Sequence, residues 1–208
     1  MKGDTPAAGT GLDRILAAGW ADPSGFSPEE FARAEAFWRE RRRDDRRLLA
    51  IHAKAADLVQ GWTGQLPRGL GSVIIQTNLG TSDIDLGLGY PAADRDRLAS
   101  ALARHARFDG EQPTPFGSTR LAYAFTCDGV EVDVSLLVAA DLRTACRMLE
   151  QIGRDMSREE RIACTWVKHL LHTAGRTEDY AAWKLATYAR FCPEFIWVPM
   201  TGAARTAP

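Results

Sequence analysis

The chain has 208 residues, with 26 Lys and Arg against 27 Asp and Glu, a formal net charge of −1. Hydrophobic residues make up 45% and charged residues 25%, the balance of a soluble globular chain long enough to bury a core without disulfides. Near-zero charge speaks against strong, non-specific nucleic-acid binding, which a basic excess would signal.

Residues 1–11, rich in Gly, Ala, Thr and Pro, are expected to lack order. Leu12 to Gly19 suits a short helix, and Asp22-Pro23-Ser24-Gly25 is turn chemistry. Ser27-Pro28-Glu29-Glu30 is a helix start: Ser27 caps, Pro28 fits the first helical position, and Glu30 closes a capping box. Phe31, Ala34, Trp38, Leu48, Ala55 and Val59 recur at helical spacing, so one long helix is predicted to about Val59. The run Arg39–Arg47 interrupts that stripe. It reads as a solvated, ion-paired face, the alternative being a phosphate- or RNA-facing patch weakened by Glu40, Asp44 and Asp45.

Gly61 to Gly69 reads as a loop. Gly71-Ser72 then precedes a strand carrying Asp83-Ile84-Asp85-Leu86, which Gly87, Gly89 and Pro91 are expected to end. Pro91 to about Ala106 reads as a helix with Leu98 and Leu102 on one face, and Phe108 to Phe116 as a loop. Thr119–Cys127 and Val130–Val138 read as strands of a hairpin closed by Asp128-Gly129, whose two positions both accept positive φ. Asp141–Ile152, Ser157–Thr173 and Thr177–Phe191 read as helices, the second with Ser157 and Glu160 as a capping box. Cys127, Cys146, Cys164 and Cys192 form no Cys-x-x-Cys pair and read as reduced core residues. No membrane-length apolar run or signal-peptide pattern is present, so a cytoplasmic protein with no membrane partner is expected.

The chemistry concentrates in the acids. In a strand, alternate side chains share a face, so Asp83 and Asp85 would lie side by side in front of Ile84 and Leu86. Two carboxylates on one face repel unless a cation lies between them, and a hard divalent ion with oxygen ligands, magnesium above all, is the usual answer. Val130-Glu131-Val132-Asp133-Val134-Ser135 alternates, placing Glu131, Asp133 and Ser135 opposite the valines. Paired beside the first strand, it would supply a third ligand. Asp133, deeper in the strand, is favoured over Glu131, which sits beside the turn.

Gly71-Ser72, ten residues, Asp83-Ile84-Asp85-Leu86 and a later apolar-Asp-apolar step resemble the polymerase-β-like nucleotidyltransferase superfamily over roughly Gly69 to Leu137. Many members carry Gly-Thr shortly after Gly-Ser; here Gln76-Thr77 stands in that region. The resemblance implies an α/β (α+β) fold: a small mixed β-sheet of nucleotidyltransferase type, a long N-terminal helix, and a helical C-terminal part closing the cleft. It divides the chain into a flexible segment (1–26), a core (27–138) and the helical part (139–208).

It also implies the reaction. A nucleoside monophosphate would pass from a nucleoside triphosphate to a hydroxyl, releasing pyrophosphate, with two magnesium ions (manganese as the alternative) held by Asp83, Asp85 and Asp133. Gly71, Ser72, Ser82 and Lys168 would bind the nucleotide. Arg161, two helical turns before Lys168, and Lys184 are further candidate cations. The acceptor is read first as a small-molecule hydroxyl, then as a hydroxyl of a protein partner, then as a nucleotide. A non-catalytic nucleotide-binding module is the rival. His169 and His172 lack a third metal ligand and read as packing or surface residues. Trp166 and Trp183 read as core, with Trp197 a candidate stacking surface.

Overall fold

The computed structural model describes residues 11–17 and 19–195. One mixed sheet has the strand order β1 (Arg68–Leu70), β2 (Ile84–Tyr90), β5 (Val130–Val138), β4 (Thr119–Cys127) and β3 (Arg107–Pro113). β2 and β5 pair in parallel with Asp85 opposite Asp133. The other ladders are antiparallel. Asp128 and Gly129 close the β4–β5 hairpin at φ of 48° and 78°, both positive as a tight primed turn requires.

Alternation divides the sheet into two faces. Ile84, Leu86, Leu88, Leu121, Tyr123, Val132, Val134 and Leu136 are buried against Ile51, Ala55 and Val59 of α3 (Asp45–Thr63) and Leu98 and Leu102 of α5 (Arg95–Ala103). Burying each large side chain contributes about 1.5–3 kcal/mol. That face holds the sheet together, so the opposite face can carry Asp85, Asp133 and Ser135. There α6 (Ala139–Asp155) packs over β2.

Gly87 and Gly89 do not end β2, as the sequence suggests; the strand runs through both to Tyr90. Their missing side chains admit α6: a Cβ at Gly87 would lie 2.6 Å from Leu142 Cδ1, and one at Gly89 3.0 Å from Leu142 Cδ2.

Three other expectations are corrected. The helix from Ser27 is two helices, α2 (Pro28–Arg41) and α3, joined by turns in which Arg43 N donates to Glu40 O and Asp44 N to Arg41 O. The charged run has nothing to bury, and the flanking stripes need different partners: α2 packs on α7 (Arg158–Thr173), α3 on the sheet. The loop expected over residues 61–69 is instead the end of α3, a left-handed Gly64 at φ 72°, and β1. The loop expected from Phe108 contains most of β3, an edge strand bulged between Phe108 and Gly110. Its charge, bulge and Pro113 are the marks of an edge rather than a central strand.

Residues expected to be flexible up to position 26 are in part docked. α1 (Gly11–Ala17) and the turn after it bury Ile15 and Ala21 with Ala163, Cys164, Val167 and Leu171 of α7 and Trp183 of α8 (Thr177–Phe191). The expected disorder of residues 1–10, Trp197 and the helix-stopping C-terminal end lie outside the described residues. The four cysteines are free thiols. Among the described residues, no helix is long and apolar enough to cross a membrane.

Candidate active site

Asp85 lies on β2, Asp133 directly opposite on β5, and Asp83 one residue before β2 begins. Each offers a carboxylate oxygen within 4.8 Å of the other two, and all three are half-buried. The parallel register makes this convergence: neighbouring strands about 4.8 Å apart bring facing side chains together. Desolvation first, and then the charge of Asp83, push the Asp85 pKa above the usual carboxylate range; Lys184, Arg120 and Lys168 pull it back. Three converging carboxylates, one of them held back from ionising by burial and a neighbouring acid, are a donor set that a hard divalent cation satisfies. The residues present therefore fit a magnesium site.

Gly71 opens α4 (Gly71–Ile74) directly behind Asp85. Its φ is 71°, and an added Cβ would fall 1.8 Å from Asp85 Oδ2. Glycine is required twice over, by conformation and by space. Ser72, 4% exposed, faces Lys168, whose Nζ donates to Ser72 Oγ at 3.2 Å and to Ser82 Oγ at 3.1 Å. Ser82 Oγ also accepts from Leu79 N at 2.8 Å, which shapes the loop before Asp83. Burial first, then the neighbouring Lys184 ammonium, lower the Lys168 pKa to about 8, against the pull of Asp83 and Asp85.

A cavity of about 510 Å³ opens beside these groups, lined by Arg47, Gly80, Ser82, Asp83, Glu131, Lys168 and His172 among others. Its size suits a nucleotide-scale ligand. Lys168 and Ser82 thus face open space, while Ser72 stands behind as a brace. Of the charged run after α2, Arg47 reaches this cavity; Arg42 instead pairs with Asp45 and donates to Gln76.

The other candidate cations divide. Lys184 acts on the site through its charge on Asp85 and Lys168, with its ammonium 5.6 Å from the Tyr188 ring. Arg161 does not face the acids. Its Nε donates to Ile75 O at 3.2 Å and its Nη2 to Gly153 O. It ties α7 to the turn after α4 and to α6, about two helical turns before Lys168 along the same helix. His169 stacks on Phe37 with ring centroids 4.3 Å apart, and His172 packs near Tyr180 at 5.1 Å. Among the described residues, the metal-ligating cluster is Asp83, Asp85 and Asp133. Trp183 is buried, and Trp166 packs edge-on against Phe37.

Arg120 of β4 is a residue the sequence reading missed. Its Nη2 donates to Gln112 Oε1 at 2.7 Å and its Nη1 to Ser135 Oγ. The signal was present: the Asp128-Gly129 hairpin sets Ala124 opposite Asp133 and Ala122 opposite Ser135, so Arg120 shares their face by alternation.

Comparison by sequence finds no matching family model and no matching curated protein. Comparison by structure does find similarity. A structure of Cid1, described for its RNA terminal uridylyl transferase activity, superposes with a TM-score of 0.50 at 13% identity, over 70% of this chain and 47% of that one. At that identity the likeness is one of fold. A structure of the GLD-2/RNP-8 complex gives a TM-score of 0.48 at 12% identity, over 74% of this chain and 63% of that one. The chain spans about half of the Cid1 chain and less than two thirds of the second.

Proposed function

We propose that this protein is a metal-dependent nucleotidyltransferase, moving a nucleoside monophosphate from a nucleoside triphosphate to an acceptor hydroxyl. The observation that carries the reading is the convergence of Asp83, Asp85 and Asp133 within 4.8 Å, beside a buried lysine on a cavity wall. The nucleotidyltransferase fold supports it.

Asp83 and Asp85 would hold the divalent ions jointly, and Asp133 would complete the site. Bound magnesium supplies charge stabilisation for the attacking and leaving oxygens. The chain supplies the rest. Lys168, fixed by Ser72 and Ser82, binds the triphosphate tail, and Arg47 and His172 border the same space. Asp133 takes the proton of the acceptor hydroxyl onto a carboxylate oxygen. The acceptor oxygen then bonds to the α-phosphorus. The bond from that phosphorus to the bridging oxygen breaks, and pyrophosphate leaves with the electron pair. Gly71 leaves Asp85 the room its carboxylate needs.

The test is pyrophosphate release with magnesium and each of the four nucleoside triphosphates, alongside their magnesium-dependent effect on thermal stability. Asp83→Asn and Asp133→Asn are expected to lower turnover by about a hundred- to a thousandfold, as loss of a major electrostatic group does, while remaining folded. Turnover unchanged in either variant would end the mechanism. Stabilisation by nucleotide with no transfer to any acceptor would identify a binding module instead.

A further inference from the structure

Arg120 is half-buried, and its hydrogen-bond partners among the described residues, Gln112 and Ser135, are both neutral. Arg95, Arg107, Arg154 and Arg176, by contrast, each pair with a carboxylate. A guanidinium held rigidly by neutral acceptors keeps its charge for something else, and its planar fork matches a phosphate. That charge is felt in the site, where it favours ionised Asp85.

Position decides what the fork would meet. Across the sheet, β2 carries Asp85, β5 carries Asp133 and Ser135, and β4 carries Arg120. Lys168 and Ser72 stand at the other flank, where α4 packs on β1 and β2. In a displacement at phosphorus, the attacking and leaving oxygens are roughly in line on opposite sides. With pyrophosphate at Lys168, the acceptor enters on the β5–β4 side, past Asp133. The floor there is small: Ala124 faces Asp133 and Ala122 faces Ser135.

We propose that Arg120, braced by Gln112 and Ser135, is the acceptor-recognition residue, and that it binds a phosphate carried by the acceptor. The acceptor is then a nucleotide or the terminal nucleotide of an oligonucleotide, not a neutral polyol. This rests on the nucleotidyl-transfer reading. An arginine serving only to balance Asp85 and Asp133 would give its hydrogen bonds to those carboxylates; this one gives them to an amide and a hydroxyl.

The experiment uses the full chain with magnesium and a labelled nucleoside triphosphate. The acceptors are the four nucleosides, their 5′-monophosphates, 5′-phosphorylated dinucleotides, and glucose as a neutral polyol. The phosphorylated acceptors are expected to have a KM at least about tenfold below the nucleosides, the scale of one charge-assisted hydrogen-bonded pair. Arg120→Gln should raise that KM about tenfold and erase the preference, with the triphosphate KM moving less than about twofold. Arg120→Lys should recover part of it. Gln112→Leu, which loosens the fork, should give a smaller rise and serves if Arg120→Gln does not fold. Equal use of nucleosides and monophosphates, preference for glucose, or an equal rise in both KM values overturns the inference and leaves nucleotidyl transfer standing. Absence of both magnesium-dependent triphosphate binding and pyrophosphate release overturns the parent reading with it.

Discussion

A methyl group on Gly71 would meet Asp85 Oδ2 at 1.8 Å, and the backbone there sits at φ 71°. Gly71→Ala is expected to cost about 1–2 kcal/mol in conformation alone. By displacing Asp85 it should also lower turnover about a hundredfold, the effect of a misplacement near 1 Å; a melting curve and pyrophosphate release check the two parts. Lys168 gives a second prediction. Its ammonium must be charged to hold a triphosphate, and its pKa is lowered to about 8 by burial and Lys184. As pH rises through about 8 the ammonium is lost, so kcat/KM for the triphosphate should decline above that pH. Lys168→Arg, charged throughout, should lack this decline even where its activity is lower. At this scale the sequence was most legible in the acids, because strand alternation alone put Asp133 opposite its valines. Arg120 and the bracing role of Ser72 were harder to read. The first needed the hairpin register carried one strand further, and the second depends on a helix 96 residues away.

Between elements, the contacts that matter are few. Arg161 binds α7 to Ile75 O and Gly153 O, so it positions the helix that carries Lys168. Arg161→Met is expected to cost about 1.5–3 kcal/mol, the range for hydrogen bonds from a charged group, visible as a lower midpoint in urea. Its effect on turnover should follow stability and not pH. The helices after residue 139 were legible because capping and period agree, as at Ser157 and Glu160. The break between α2 and α3 was not. Period and charge there fit one exposed helix equally well, and only the separate partners of the two stripes decide the bend. β1 is three residues long, too short for any period to show. β3 is polar and bulged because it lies at an edge, and those same features hid it.

Taken whole, the molecule brings its acids and Lys168 together from two separately packed clusters. The sheet with α3 and α5 carries the acids, and α7 with α1 and α8 carries the lysine. Ile15, 2% exposed, packs in the second cluster far from the acids in sequence. Ile15→Ala is expected to cost about 2–5 kcal/mol, a melting-point fall of about 5–15 °C. In the surviving folded protein it should raise the triphosphate KM more than it lowers kcat. An unchanged KM would show that α7 is held from elsewhere.

The parallel pairing of β2 with β5 has a consequence for biogenesis. Asp83 and Asp85 leave the ribosome about 50 residues before Asp133, and β5, which lies between β2 and β4, is the last strand to be made. Closing so long a loop is slow, since its entropy must be met before the ladder rewards it. The nascent chain therefore exposes two carboxylates without a third, and a grip on magnesium should be among the last properties acquired. During refolding, tight metal uptake should lag behind the return of helical signal.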